Sequence, residues 1–305
     1  MIDIVHSKSG SSVSIHPFGA TIISYKSSGG ENLFVSRLSK LDGSKAIRGG
    51  IPIVFPIFGP PPKDSGSTMP QHGFARNNMW KVKEGSQHDS DSHAGVTLTL
   101  DLADASKGRG GNNIWSESEA KTGATSCQLI FEVKVDNEAL STTMIVQNTG
   151  SDAFDFNCLL HTYYAVEGKA AQDPKQCYAK GLQGYSIIDK VRGVSGEICG
   201  EDPFDLTAGA VDSVYMAPEG KMAVNVEVGV GGGRTVKMEA FGTIDDKPVP
   251  ASCVVWNPSA EGAAGMGDFG DDQYQEMICV EPGILGDQPA LGPGKKASLT
   301  QLILA

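Results

Sequence analysis

The sequence predicts an all-β protein, a large antiparallel β-sandwich, from three observations. Apolar residues recur at every second position over several short runs, as in strands that bury one face. Long runs with the helical spacing of i, i+3, i+4 and i+7 are hard to find. The 38 glycines and 16 prolines are spread along the chain as turn residues. A chain with many half-buried antiparallel strands buries their apolar faces by stacking sheets.

Six runs carry the period-two pattern and are predicted as strands: 96–100, 129–135, 140–146, 223–228, 235–241 and 299–304. Three polar stretches rich in turn residues, 59–67, 84–95 and 103–124, are predicted as surface loops. The glycines of 229–233 follow an apolar strand but lack the Lys-Ser/Thr of a phosphate-binding loop. We therefore predict a hairpin turn there.

The chain of 305 residues is long enough for two domains. No Gly/Pro-rich linker divides it, however, and large all-β folds commonly use this length as one unit. We therefore expect a single domain over residues 1–305.

The charge balance restricts the possible partners. Lys and Arg total 25 and Asp and Glu total 36, which gives a formal charge of −11. Because the chain also lacks a basic cluster, this charge argues against nucleic-acid binding.

No apolar run approaches the ~18 residues of a membrane span. No export signal is visible, and none of the six cysteines forms a CxxC pair. We expect a cytoplasmic protein with reduced thiols, with Cys158 and Cys279 as small buried fillers.

Four segments, 47–59, 71–80, 159–166 and 254–281, do not resemble ordinary sandwich strands. They contain a histidine in an apolar run, His161, and a carboxylate, Glu281, that we place at the end of an apolar strand. Arg48 and Arg76 lie close to glycines. Taken singly, each residue also has a purely structural explanation. His161 could be a core histidine, Glu281 could be a turn residue, and the two arginines could form surface ion pairs. Together they suggest a general acid, a general base and an anion clamp.

The same segments resemble the aldose 1-epimerase superfamily, in particular its glucose-6-phosphate 1-epimerase branch. The matching blocks span most of the chain: 18–25, 41–52, 72–76, 160–163, 211–215, 255–258, 266–270 and 279–282. The resemblance implies a β-sandwich isomerase that interconverts the α and β anomers of a hexose 6-phosphate. It implies a sugar phosphate as partner and no cofactor or metal, consistent with the absence of ligand-spaced His, Cys and Asp residues in the sequence.

Roles for individual residues follow from the resemblance. It implies that His161 is the acid that protonates the ring oxygen and Glu281 the base at the C1 hydroxyl. Arg48 and Arg76 would hold the phosphate, because a guanidinium matches its oxygens with paired hydrogen bonds.

The sugar itself would be held by polar side chains. Gln71 would bind a hydroxyl or the phosphate, and His72 would be a supporting donor near the anomeric or ring region. Asp212 matches the position that contacts sugar hydroxyls, although Asp205, seven residues upstream, is the alternative. Trp256 is either a stacking platform for the sugar or a core residue.

Two other functions stay open: an epimerase of a neutral aldose, and a non-catalytic sugar-binding or regulatory protein of the same fold. A hydrolase is disfavoured, because the chain has no G-x-S-x-G segment and a retaining glycosidase needs two carboxylates. We expect the protein to be a monomer.

Overall fold

A computed structural model describes residues 1–102, 115–200, 204–286 and 289–305. The first strands in chain order are β1 Ile2–Val5, β2 Ser12–His16, β3 Thr21–Ser27, β4 Gly30–Glu31, β5 Ile53–Val54, β6 Lys81–Val82, β7 His88–Asp89, β8 Ala94–Asp101, β9 Cys127–Val135, β10 Ala139–Asn148, β11 Phe154–Asp155 and β12 Cys158–Leu160. The remaining strands are β13 Tyr163–Ala165, β14 Cys177–Lys180, β15 Ser186–Asp189, β16 Val194–Ile198, β17 Val211–Met216, β18 Ala223–Val230, β19 Thr235–Ile244, β20 Lys247–Val249, β21 Ser252–Asn257, β22 Met277–Ile284, β23 Ala290–Leu291 and β24 Lys296–Leu304.

Helices are few and short within these described ranges. The α-helices are α1 Glu117–Ala120 and α2 Ser259–Ala264, and 3-10 turns occupy Ala75–Asn77, Ala170–Gln172, Leu206–Ala208 and Gln273–Glu276. No helix of the described residues is long and apolar enough to cross a membrane.

Two large antiparallel sheets dominate the fold, as the sequence predicted. The ten-stranded sheet has the order β14-β18-β19-β24-β10-β9-β8-β6, with β20 and β7 attached to β19 and β8. The eight-stranded sheet has the order β16-β15-β17-β21-β22-β12-β5, with β13 also paired to β22. Strands β1–β4 form a small sheet of their own, and β11 pairs with β23.

All six predicted strands are confirmed, as β8, β9, β10, β18, β19 and β24, and all six lie in the ten-stranded sheet. Burial alternates residue by residue along β10 and β24. The predicted glycine turn is also confirmed: it joins β18 to β19, and the Arg234 amide donates to the Gly231 carbonyl at 2.9 Å.

The predicted loops are correct only in part. The stretch 84–95 contains β7 and the first residues of β8. Helix α1 interrupts the stretch 103–124, because Ser116 and Glu119 form a capping box that satisfies free amides at its first turn. Residues 103–114 of that stretch lie outside the described residues.

The central strands of the eight-stranded sheet, such as β22 and β21, are buried on both faces, and this positions the site. On β22, Ile278 and Val280 pack into the main core, as Val255 of β21 does. The alternate residues, Cys279 and Glu281, lie on the opposite face of the sheet. Because every residue of β22 is buried, its sequence shows no period-two alternation. Our expectation that Glu281 ends a strand was wrong, since β22 continues to Ile284.

Buried hydrogen bonds fix the chain around His161, which lies in the break between β12 and β13. Its amide donates to the Pro52 carbonyl at 3.0 Å. The hydroxyl of the next residue, Thr162, donates to Gln301 Oε1 of the ten-stranded sheet at 3.0 Å. The His161 backbone is therefore tied to both large sheets.

Candidate active site

A cavity of about 700 Å³ opens on the outer face of the eight-stranded sheet. Six of the seven predicted site residues line it: Arg48, Gln71, His72, His161, Asp212 and Glu281. Phe58, Lys190 and Trp256 are also among its lining residues. The fold thus brings together side chains from widely separated parts of the sequence.

His161 and Glu281 meet at the floor of this cavity. Nδ1 of His161 lies 3.3 Å from Oε1 of Glu281, and the residues are 7% and 1% exposed. Among the described residues, neither His161 Nδ1 nor Glu281 Oε2 has a hydrogen-bond partner. Burial lowers the pKa of His161 well below its usual value and raises the pKa of Glu281 well above its usual value. Both shifts favour the uncharged forms of the two groups, a neutral imidazole and a protonated carboxyl, so the proton of the pair lies on Glu281.

Aromatic rings fix the orientation of the His161 imidazole. It stacks on Tyr163 with centroids 4.7 Å apart and planes at 10°. The edges of Trp256 and His72 approach it at 6.0 and 5.8 Å. Trp256 also lines the cavity, so it is available to contact a ligand.

His72 is held in one tautomer by the backbone. The Gly59 amide donates to His72 Nδ1 at 3.2 Å, so the proton of the neutral ring belongs to Nε2. Burial, followed by the charges of Arg76, Lys190 and Arg48, lowers the pKa of His72 well below its usual value. Gln71 Nε2 lies 3.2 Å from His72 Nε2, and turning the Gln71 amide by 180° brings its oxygen, an acceptor for the His72 proton, to this position. The ring is thus a neutral hydrogen-bond donor beside the cavity.

The two arginines differ in their access to the cavity. Arg48 lines it and is oriented by Asp268, whose Oδ1 accepts from Arg48 Nε at 3.2 Å. Arg76 is not among the lining residues; its Nη2 donates to the Gln71 carbonyl at 2.9 Å. Burial lowers the pKa of Arg76 to about 10. Arg76 therefore contacts the backbone of Gln71, whereas Arg48 contacts the cavity itself.

Lys190 is a lining residue that our sequence reasoning missed. Its Nζ lies 3.0 Å from Asp212 Oδ1 and 4.3 Å from the centroid of the Phe58 ring. No motif marks this lysine in the sequence. It reaches the site because β15 pairs with β17, and the Lys190 amide donates to the Asp212 carbonyl at 2.9 Å.

The structure separates the two candidate aspartates. Asp212 lines the cavity. Asp205 is not among the lining residues, and its Oδ1 accepts from the amide and the hydroxyl of Thr207 at 2.8 and 2.6 Å. The side chain of Asp205 thus caps the 3-10 turn Leu206–Ala208.

A group of metal-ligand side chains, which the sequence spacing did not suggest, also forms next to the cavity: His161 and Glu281 line the cavity, and Cys279 lies beside them without lining it. Ligand atoms of His161, Cys279 and Glu281 all lie within 4.8 Å of one another. Among the described residues this is the one group of three or more His, Cys, Asp or Glu side chains so arranged.

Together, the fold and the site define an all-β protein with a histidine–carboxylate pair in a cavity of small-ligand size. The family model for aldose 1-epimerase matches residues 2–304, so the chain belongs to the aldose 1-epimerase family and is an isomerase.

Named relatives agree with this assignment. The chain is 28% identical over 291 residues to a Cenchrus ciliaris protein named "Putative glucose-6-phosphate 1-epimerase", covering 92% of this chain and 78% of that one. An Escherichia coli K12 protein of the same name is 29% identical over 286 residues, with 93% and 84% covered.

Two crystal structures share the fold. A Salmonella typhimurium structure titled "putative mutarotase" superposes with a TM-score of 0.71 at 23% identity, covering 97% of this chain and 88% of that one. The Slr1438 protein of Synechocystis superposes with a TM-score of 0.72 at 20% identity, with 99% and 95% covered.

Proposed function

We propose that this protein interconverts the α and β anomers of a hexose 6-phosphate, with D-glucose 6-phosphate as the first candidate. The observation that carries the proposal is the contact between His161 Nδ1 and Glu281 Oε1, 3.3 Å long, in a cavity also lined by Arg48 and Lys190. The names of the Cenchrus and Escherichia relatives support the same substrate.

Anomer exchange needs one proton donor and one proton acceptor at the hemiacetal. A proton must reach the ring oxygen while another leaves the C1 hydroxyl; rotation about C1–C2 then exposes the other carbonyl face for closure. We assign the donor role to His161 and the acceptor role to Glu281. In the uncharged pair the proton lies on Glu281, so transfer across their contact generates the reactive form. Each proton transfer typically contributes about 10²–10⁴ in rate.

The phosphate group needs a locally positive pocket in a protein with a charge of −11. Arg48 and Lys190 line the cavity and are the side chains we assign to direct phosphate contact. Arg76, whose guanidinium holds the Gln71 carbonyl, adds positive charge behind them.

Three polar groups remain for the sugar hydroxyls. Asp212 offers carboxylate oxygens, His72 a donor at Nε2, and Gln71 a side-chain amide. All three line the same cavity, so we assign them to hydroxyl recognition.

The decisive experiment follows the equilibration of freshly dissolved α-glucose 6-phosphate by polarimetry or NMR exchange. The wild-type chain should accelerate it, whereas His161→Ala and Glu281→Gln should each lower the catalysed rate by about 10²-fold or more. Glu276→Gln is the matched control, because Glu276 is ion-paired to Arg37 on the surface and its loss should leave the rate unchanged.

Other outcomes would select other functions. Faster exchange of glucose than of glucose 6-phosphate would indicate an epimerase of neutral aldoses. Sugar binding without any acceleration would indicate the non-catalytic alternative.

We also propose that the chain acts as a single-domain monomer in the cytoplasm. All six cysteines lie among the described residues, are buried and form no disulfide bond, which supports a reducing compartment. Light scattering of the purified protein tests the first point, and localisation of a tagged chain tests the second.

A further inference from the structure

The geometry points to a binding site for a thiophilic divalent cation, such as Zn²⁺ or Cd²⁺, at the floor of the cavity. We infer that its ligands are His161 Nδ1, Cys279 Sγ and a carboxylate oxygen of Glu281. The binding claim does not depend on the proposed function; only its consequence for activity does.

Strand geometry places the three ligands together. Cys279 and Glu281 are two positions apart on β22, so their side chains lie on the same face of the sheet. His161 approaches from the break between β12 and β13, and its neighbour Tyr163 pairs directly with Cys279. The ligand atoms already lie within 4.8 Å of one another. Around a tetrahedral Zn²⁺ such atoms are about 3.3–3.8 Å apart, so a closure of roughly 1 Å completes the site.

The His161–Glu281 pair is not part of a fully satisfied hydrogen-bond network. Within the part of the chain that the structure describes, His161 Nδ1 and Glu281 Oε2 are buried without hydrogen-bond partners. Leaving such buried atoms unpaired is unfavourable. A cation accepting both lone pairs would satisfy these atoms, which is an observation in favour of a ligand at this point.

The donor set selects the kind of metal. One thiolate, one imidazole and one carboxylate suit Zn²⁺ and its softer relative Cd²⁺, whereas Mg²⁺ and Ca²⁺ prefer oxygen ligands alone. With three protein ligands, the fourth position is left for water from the cavity, as in open zinc sites.

Charge balance also permits the ion. A divalent cation with one carboxylate and one thiolate is neutral overall, and the displaced protons leave to solvent. Two of the cations lining the cavity already have carboxylate partners: Arg48 is paired with Asp268 and Lys190 with Asp212. Their repulsion of an incoming metal ion is reduced accordingly.

The consequence for catalysis is inhibition. A cation bound to His161 and Glu281 occupies the two groups that the proposed mechanism needs for proton transfer. Activity should fall as the site fills and return when a chelator removes the metal.

A Cd²⁺ titration of the purified, metal-free chain tests the binding directly. Coordination of Cd²⁺ by the thiolate gives an ultraviolet charge-transfer band. In the wild type this band should grow as Cd²⁺ is added and reach its maximum at one equivalent of Cd²⁺ per chain. Cys279→Ser should abolish the band. Cys158→Ser, which removes another fully buried thiol on a neighbouring strand, should retain it.

A second variant keeps the thiol and removes another ligand. His161→Ala should weaken Cd²⁺ binding by about tenfold or more. A band that persists in Cys279→Ser, or unchanged affinity in His161→Ala, would overturn the site; circular dichroism checks that each variant is folded. A wild type that shows the band but has no epimerase activity would retain the metal site and refute the proposed function instead.

Discussion

Glu281 on β22 and His161 in the break between β12 and β13 approach each other at 3.3 Å, yet His161 Nδ1 has no hydrogen-bond partner among the described residues. The pair is therefore close, buried and incompletely satisfied. An arrangement of this kind is unfavourable for stability and suited to groups that must exchange protons with a bound sugar.

The first prediction concerns stability and pH in Glu281→Gln. Burial raises the folded-state pKa of Glu281 well above its usual value, so the folded state retains the proton over a pH range where the unfolded state has lost it. Wild-type stability should therefore decline, through this group, as pH rises from about 4 towards the folded-state pKa. Glutamine cannot ionise and lacks this decline.

Urea unfolding at pH 5 and pH 8 measures the difference. We expect the difference in unfolding free energy between Glu281→Gln and wild type to shift in favour of the variant at the higher pH. Equal pH dependence of the two proteins would contradict the prediction.

The second prediction separates the two arginines. Arg48→Met removes a charge that lines the cavity and should raise KM for glucose 6-phosphate by about 10–100-fold, corresponding to a charged hydrogen bond of about 1.5–3 kcal/mol. Arg76→Met acts through the Gln71 carbonyl, so its effect on KM should be smaller. Steady-state kinetics measure both, and Arg37→Met is the control, since Arg37 pairs with Asp272 and Glu276 on the surface. A larger effect at Arg76 would reverse the assignment.

The third prediction concerns Lys190, whose ammonium lies between Asp212 and the Phe58 ring. Lys190→Met should raise KM for the sugar phosphate by about tenfold, and Lys190→Arg should restore part of it because the charge returns. Lys295→Met is the matched control: Lys295 also pairs with an aspartate, Asp245, at 2.8 Å, but does not line the cavity. If Lys190→Met has kinetics identical to those of Lys295→Met, Lys190 does not contact the substrate.

The fourth prediction compares two glycines with positive φ. Gly73 has a φ of +75°, and a Cβ there would lie 2.1 Å from the Phe55 carbonyl oxygen. Gly66 has a φ of +67° and nothing within 4 Å of such a Cβ. Gly66→Ala should destabilise the fold by about 1–2 kcal/mol from backbone strain alone, and Gly73→Ala by clearly more. Thermal unfolding measures both, and equal shifts would contradict the steric argument.

How much could be predicted from sequence differed between the two large sheets. Strands such as β10 and β19 bury one face, so their sequences alternate and were recognised. Strand β22 is buried on both faces and does not alternate, so Glu281 was placed at a strand end instead of inside it. Apolar and polar residues alternate along a strand only when one face of the strand is buried and the other is exposed, so only such strands can be recognised from this pattern.

The site residues divide in the same way. Some site residues lie in segments that can be recognised from the sequence alone by their residue types and order: His161, Glu281, Arg48 and Asp212. Lys190 cannot be recognised, since only the pairing of β15 with β17 brings it to Asp212.

By itself, the sequence determined the all-β class, the six alternating strands, the family resemblance and the identity of six of the residues that line the cavity. Tertiary structure alone decided that Asp212 and not Asp205 lines the cavity. It also decided that Arg76 binds the Gln71 carbonyl without lining the cavity, and that Lys190 is a lining residue. The physical reason is that local patterns encode which face of a strand is buried, whereas a site on the outer face of a sheet depends on which distant strands pair and in what register.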